Sequence, residues 1–231
     1  MIDVVFVPEE KIRERVCVLI DVLRATSVIV TALANGAVSV EPVPTLKQAL
    51  AKKGKDVLVC GERRNVKPRG FDLGNSPFEY LSDLVQGKKI VLSTTNGTRA
   101  IRRIECEILY AASFLNLSSI AHELKRYDSV TIVCSGQNGK IALEDVLCAG
   151  AIVALGGGTE KTDSALIAES VWRCSDSVFE TLSRSQHGRE LIEKGFLRDV
   201  EYCSRIDLYS VVPTFDGRSF ILQTSERSLQ A

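Results

Sequence analysis

The stretch Lys88-Lys89-Ile90-Val91-Leu92-Ser93-Thr94-Thr95-Asn96-Gly97-Thr98-Arg99-Ala100-Ile101 decides the architecture of this chain. An apolar run of strand character gives out into Ser-Thr-Thr-Asn-Gly-Thr, and a helix begins at once. Hydroxyls, a flexible glycine and the free N–H groups of a helix start converge in such a turn, which is how backbone dipoles hold oxyanions. The pattern occurs twice more. Val16-Cys17-Val18-Leu19-Ile20-Asp21 leads into Arg24-Ala25-Thr26-Ser27, and Val130-Thr131-Ile132-Val133-Cys134 leads into Ser135-Gly136-Gln137-Asn138-Gly139-Lys140. Three polar strand ends are expected to share one anion site along the carboxyl edge of a sheet. The ordinary alternative is that Ser, Thr, Asn and Gly simply end strands and cap helices.

Outward from these turns, apolar runs of strand character alternate with helical periodicity. Strands are expected at 16–21, 38–43, 57–60, 90–93, 108–111 and 130–135, with a further strand at the N-terminus. Helices are expected at 26–35, 45–52, 77–85, 98–103, 117–125 and 143–155. Ser76, Pro77 and Glu79 read as the cap, first-turn proline and capping box of one of them. This alternation predicts a layered α/β fold with a mixed but largely parallel sheet flanked by helices. Gly156-Gly157-Gly158-Thr159 interrupts the pattern. Beyond it, helices are expected at 163–182, 186–194 and 197–205, then a hairpin turning at Asp216-Gly217. The expected organisation is two intimate lobes. Residues 1–155 form an α/β lobe carrying most of the site, and 156–231 form a mainly helical part with the C-terminal hairpin. One continuous domain is the alternative.

The 231 residues can bury a substantial core. Twenty-nine basic residues balance 29 acidic ones, so global charge gives no reason to expect nucleic acid or a membrane surface as partner. Any anion site must be local. The N-terminus lacks a basic region followed by a long apolar core, and the longest apolar segment, 146–155, is too short to cross a bilayer. A cytoplasmic location is expected. The seven cysteines form no CxxC pair, which reads as reduced thiols and not as a disulfide frame or zinc site. Cys134 alone is placed where a nucleophile could sit, and a small apolar filler is the competing reading.

Several side chains could carry chemistry. Asp21 ends an apolar strand and suits a hard cation, while Arg24 offers a planar fork to an oxyanion. A local Asp–Arg pair capping the next helix is the alternative. Glu62 follows a short strand and could bind metal or act as a base, with Arg63 or Arg64 holding an anion; a solvated charge run would look the same. Lys67 and Arg69, with Gly70, Asp72, Gly74 and Asn75, form a basic, glycine-rich loop of the kind that closes over anions; a merely exposed loop is the equal alternative. Glu144 and Asp145 open a very apolar helix, where a buried acidic pair needs a cation or an arginine, although acids at a helix start also complement its dipole. His122 reads as exposed; His187, at a helix start beside Arg189, reads as a surface cap, with the alternative that the pair reaches an active site from the second part. No Walker loop, GxGxxG, HExxH or Cys/His cluster is present.

Taken together, Ile20-Asp21-Val22-Leu23-Arg24-Ala25-Thr26-Ser27, Gly61-Glu62-Arg63, Phe71-Asp72-Leu73-Gly74-Asn75-Ser76-Pro77, Thr94-Thr95-Asn96-Gly97-Thr98 and Cys134-Ser135-Gly136 with Glu144-Asp145 resemble the 2-phosphosulfolactate phosphatase family of the coenzyme M route. The resemblance covers roughly the first two-thirds of the chain. It implies a fold unlike the common phosphatase superfamilies and a Mg²⁺-dependent hydrolase acting on 2-phospho-3-sulfolactate. It also implies catalytic roles for Asp21, Glu62 and Glu144, with Asp21, Glu62, Glu144 and Asp145 as metal ligands. Substrate binding would fall to Arg24, Thr26, Arg63, Asn75, Thr94, Thr95, Asn96, Gly97, Thr98, Ser135 and Gly136. The expected partner is a small polyanion, attacked by a metal-bound or carboxylate-oriented water. Asp21 as a phosphoryl-accepting nucleophile is the minority alternative. A phosphotransferase or isomerase for another small phospho-acid, or a non-catalytic anion-binding module, would use the same cradles. The apolar helices of the last third are expected to offer a surface for a homodimer.

Overall fold

The computed structural model describes residues 1–81, 83–156 and 160–223. Its strands are β1 Ile2–Val5, β2 Ile12–Ile20, β3 Ser39–Pro42, β4 Val57–Gly61, β5 Lys89–Ser93, β6 Ile104–Ala112, β7 Val130–Cys134, β8 Pro213–Phe215 and β9 Phe220–Leu222. All nine lie in one sheet, in the order β1-β7-β2-β6-β8-β9-β3-β5-β4. Pairing is parallel from β1 through β6 and again among β3, β5 and β4. Between these halves sits the C-terminal hairpin, antiparallel to β6 through Tyr110↔Thr214 and to β3 through Val40↔Phe220. The expected α/β architecture with a mixed, largely parallel sheet is present.

The helices are α1 Ala25–Ala34, α2 Leu46–Leu50, α3 Gly97–Ile101, α4 Leu117–Leu124, α5 Leu143–Gly156, α6 Asp163–Arg173, α7 Val178–Arg184, α8 Gln186–Glu193 and α9 Leu197–Cys203. Alternation along β2 shows why both sheet faces are covered. Val16, Val18 and Ile20 enter a core built with α4, α5 and the later helices, through Leu182, Leu191, Val200 and Cys203. Cys17 and Leu19 point the other way, into a core shared with α1 and with β3, β4, β5 and β6. A strand buried on both faces reads as an unbroken apolar run, which is how this segment reads. All seven cysteines are free thiols.

Four expectations are corrected. The helix at 77–85 is a single 3₁₀ turn, Pro77–Tyr80, and Ser82 lies outside the described residues. Ser76 does not cap it: its hydroxyl donates to Asp199 at 2.8 Å, while Glu79 accepts the N–H of Gly74 at 2.9 Å. The helix at 163–182 is two, because Ser177 caps a fresh start by accepting the N–H of Glu180. The strand at 108–111 begins earlier, at Ile104, since it follows the full length of β2 from Ile12↔Ile104 onward. Of the expected break at Gly156-Gly157-Gly158-Thr159, Gly156 ends α5 and 157–159 lie outside the described residues.

The expected single parallel edge also needs a different account. Across the hairpin the pairing sense reverses twice at β6–β8 and β8–β9 and again at β9–β3, so the two parallel halves run in opposite senses along the sheet. Strand twist of roughly 20–25° per pair, larger in ribbons, accumulates over the steps from β2 to β5 and turns one half round toward the other. The core around Val28, Ile29 and Leu33 of α1 fills the space between them, taking Cys17 and Leu109 from one half and Ile90 and Leu92 from the other.

Candidate active site

The turns that leave β2, β4, β5 and β7 line one cavity of about 270 Å³, together with residues of α8 and its end. Fourteen of its fifteen lining residues are polar or charged; Leu23 is the exception. Of the expected site residues, Asp21, Arg24, Glu62, Asn75, Thr94, Thr95 and Asn96 line it.

Asp21 follows β2 and is fixed from both sides. Its Oδ1 accepts the N–H of Ala25 at 3.1 Å. The Thr26 hydroxyl accepts the Asp21 N–H and donates to the Asp21 carbonyl. Thr26 is fully buried and braces Asp21 without lining the cavity. Burial pushes the Asp21 carboxyl above its usual value, and nearby Glu144 adds to the rise.

The turn after β5 meets Asp21 through Gly97, where an added Cβ would lie 3.0 Å from Asp21 Oδ2. Thr98 turns back on its own loop, donating to the Thr94 carbonyl. Asn96 precedes α3 but makes no cap; its side-chain oxygen accepts the N–H of Asn138 at 3.1 Å and joins this turn to the one after β7.

Glu62 ties the turn after β4 to the turn after β5. Its Oε1 accepts both the N–H and the hydroxyl of Thr95 at 2.9 Å, and its Oε2 accepts the N–H of Asn65 at 2.8 Å. Arg63 is turned away from the cavity, donating to the carbonyls of Glu62, Ser93 and Pro44 and to the Ser93 hydroxyl. Arg64 lines the cavity in its place. Arg64 and Asn65 have φ of 54° and 70° between the mutually bonded Arg63 and Val66, the signature of a tight two-residue turn. Asn138 and Gly139, with φ of 52° and 81°, repeat that geometry between Gln137 and Lys140. Asn-Gly is the residue pair such a turn favours.

Ser135, Gly136, Glu144 and Asp145 do not line the cavity, although Glu144 is buried next to His187 and close enough to Asp21 to repel it, and both of those residues do. The Asp145 carboxylate accepts the N–H of Val22 at 2.9 Å, the N–H of Gly136 at 3.1 Å and the Ser135 hydroxyl at 3.2 Å. It therefore pins the exits of β2 and β7 together. Burial, with Asp21 and Glu144 adding repulsion, raises its carboxyl well above the usual range. Cys134 is also buried and its thiol is pushed far up, which leaves it an unreactive filler.

The last third supplies His187, Glu190 and Lys194, of which the sequence singles out only His187. Lys194 donates to the Arg64 carbonyl at 3.0 Å, and Glu190 accepts from the Gln137 amide at 2.9 Å. His187 is buried, not on the surface as expected. Its Nδ1 lies 3.4 Å from Glu144 Oε1 and its Nε2 3.4 Å from Asn65 Oδ1. Arg24 pairs with Asp199 and not with Asp21. Lys67 donates to the Asp72 carbonyl at 3.4 Å and Arg69 is exposed; neither lines the cavity.

Among the described residues no three His, Cys, Asp or Glu side chains are grouped as a metal cage. Glu62 and Asp145 are each occupied by three protein donors. Asp21 and Glu144 remain, buried and repelling one another. That donor set suits Mg²⁺, which takes one or two carboxylates, keeps waters and leans on substrate phosphate.

The 2-phosphosulpholactate phosphatase family model matches residues 4–218. A protein of Pseudothermotoga lettingae is 53% identical over 225 residues, covering 96% of this chain and 99% of the relative. One of Thermotoga maritima is 47% identical over 224 residues, covering 96% and 99%. One of Clostridium acetobutylicum is 38% identical over 218 residues, covering 90% and 93%. All three bear the name "Probable 2-phosphosulfolactate phosphatase". With a match of this length and relatives covered almost end to end, the chain belongs to the 2-phosphosulfolactate phosphatase family.

Proposed function

We propose that this chain hydrolyses the phosphate monoester of 2-phospho-3-sulfolactate to 3-sulfolactate and inorganic phosphate, with Mg²⁺ as cofactor. One observation supports this reading above the rest: a cavity of about 270 Å³ whose lining is almost wholly hydrogen-bonding groups. A compact acid bearing phosphate, sulfonate and carboxylate offers little apolar surface and requires such a lining. Arg24, Arg64 and Lys194 supply positive charge there, and Thr94, Thr95 and Asn96 supply neutral polar groups.

Asp21 and Glu144 would hold Mg²⁺, which when bound neutralises phosphate charge and lowers the pKa of coordinated water. The protein's part is placement and electrostatics, which dominate phosphoryl transfer. Asp21 Oδ2, which the Ala25 N–H does not use, is the oxygen that orients the attacking water and accepts its proton. Glu62 holds the turns after β4 and β5 in register, so that Thr95 and Asn65 face one bound molecule. Val22, Cys134 and Val146, which adjoin Asp21, Ser135 and Asp145 in sequence, are buried in one apolar cluster.

The test is phosphate release from synthetic 2-phospho-3-sulfolactate with Mg²⁺ present, set against an aryl phosphate. Faster release from the sulfonate is expected. No release from either substrate would overturn the reading.

A further inference from the structure

Arg24 is a cavity-lining cation whose side chain is almost wholly buried, at 1% exposure. Asp199 of α9, 175 residues further on, pairs with its Nη1 from a site only 5% exposed. The Phe196 ring lies under the guanidinium, 4.4 Å from its carbon. Nη2 reaches the Asn65 carbonyl at 3.4 Å. A guanidinium has five N–H donors, so these contacts fix its plane while leaving donors for a ligand.

The second oxygen of Asp199 accepts the Ser76 hydroxyl at 2.8 Å. Ser76 adjoins Asn75, whose side-chain oxygen is buried against the cavity with no hydrogen-bond partner. Buried polar atoms are nearly always paired, so this acceptor calls for a donor, from an ordered water or a hydroxyl of a bound molecule. One carboxylate thus anchors both the arginine and the segment that presents the orphaned amide.

A buried ion pair is weak evidence for stability, because desolvation cancels much of its attraction. Its use here is orientation. We propose that Asp199 is a positioning residue, holding Arg24 against the anionic groups of one bound substrate and keeping the Asn75–Ser76 segment in place beside it. The helices of the last third then complete the site. The inference deepens the phosphatase reading above and rests on it for the choice of substrate.

The full-length chain is tested as wild type, Asp199→Asn, Arg24→Met and the double variant. Each is assayed with 2-phospho-3-sulfolactate and with an aryl phosphate, Mg²⁺ present throughout. Asp199→Asn is expected to raise KM for the sulfonate by at least about tenfold, with a smaller change for the aryl phosphate and in kcat. Its effect should shrink strongly in the Arg24→Met background, because interacting residues are not additive. Unchanged KM, equal losses for both substrates, or losses that multiply in the double variant would overturn the proposal.

If the unsubstituted chain hydrolyses neither substrate, the phosphatase reading fails, and calorimetric binding of inorganic phosphate decides on Asp199 separately. Weaker binding by Asp199→Asn supports the positioning role; equal binding, or none to the wild type, overturns it. Should Asp199→Asn not fold, Ser76→Ala carries the test by removing one bond to the same carboxylate. A raised KM for the sulfonate supports the proposal and an unchanged one overturns it.

Discussion

Gly97 stands so close to Asp21 that an ideal Cβ on the glycine would lie 3.0 Å from the aspartate's Oδ2, 3.1 Å from the Ala25 Cβ and 3.3 Å from Thr94 Oγ1. The loop leaving one half of the sheet therefore rests directly on the carboxylate that ends a strand of the other half. Any side chain there would force its neighbours to give by a few tenths of an ångström.

Gly97→Ala should move Asp21 by a few tenths of an ångström and lower kcat/KM by about 10- to 100-fold, since small misplacements at a reacting centre are costly. The melting temperature should change by only a few degrees, because no large group is buried. Steady-state kinetics beside a thermal melt checks this. Wild-type kinetics in the variant would show that Asp21 can shift freely.

Asp21→Asn should trade activity for stability. The folded chain holds Asp21 and Asp145 with carboxyl pKa values raised above the usual 3.8. Folding therefore binds protons, so these groups contribute fully to stability below the unfolded value. That contribution is lost as pH rises through the folded values. Removing one buried charge should raise the melting temperature at pH 7 in chelator by about 2–4 °C for each kcal/mol relieved. It should also flatten the decline with pH, while turnover drops by about 10²-fold or more. A variant that melts at or below the wild type at neutral pH would refute the repulsion argument.

Mg²⁺ should stabilise the chain through the same carboxylates. Titrating Mg²⁺ into chelator-treated protein is expected to raise the melting temperature of the wild type with concentration, as ligand linkage requires, and to raise Asp21→Asn and Glu144→Gln much less. Hydrolysis should vanish in chelator and return with Mg²⁺. Equal shifts in all three proteins, or full activity in chelator, would remove the metal from Asp21 and Glu144.

Arg64 and Lys194 bring positive charge to the cavity from a strained turn and from the end of α8. Arg64→Ala and Lys194→Met are each expected to raise KM for the sulfonate substrate by about 5- to 50-fold, in the range of a lost charge-assisted hydrogen bond. The aryl phosphate, with one anionic group, should feel less. Identical losses for the two substrates would assign both cations to the phosphate alone.

Much of this architecture could be read from local pattern, for reasons that also explain the failures. The run from Val16 to Ile20 announces a strand buried on both faces, and Thr94-Thr95-Asn96-Gly97 announces a polar strand exit. Both depend on neighbours in sequence. Ser76 looked like a helix cap, yet its hydroxyl goes to Asp199, because a buried carboxylate from another helix outcompetes a local N–H. Arg63 and Arg64 are equivalent in composition, and only the left-handed turn decides which of them lines the cavity. Glu62, Glu144 and Asp145 look alike along the chain; they differ in how many protein donors already occupy them. Glu190 and Lys194 lie on and just past an ordinary amphipathic helix, so nothing local marks them as facing a cavity, whereas His187 stands out by its place at a helix start beside Arg189.

The placement of the last strands has a consequence for how the chain is made. Residues 213–222 supply β8 and β9, which lie between β6 and β3 in the middle of the sheet. Until they emerge from the ribosome, the inner edges of β6 and β3 are both open, and open edges invite pairing between chains. The seam that closes the sheet is thus made after the other seven strands, and a nascent chain stalled before Pro213 should self-associate where a released one stays dispersed, a difference that sedimentation of the two products would measure.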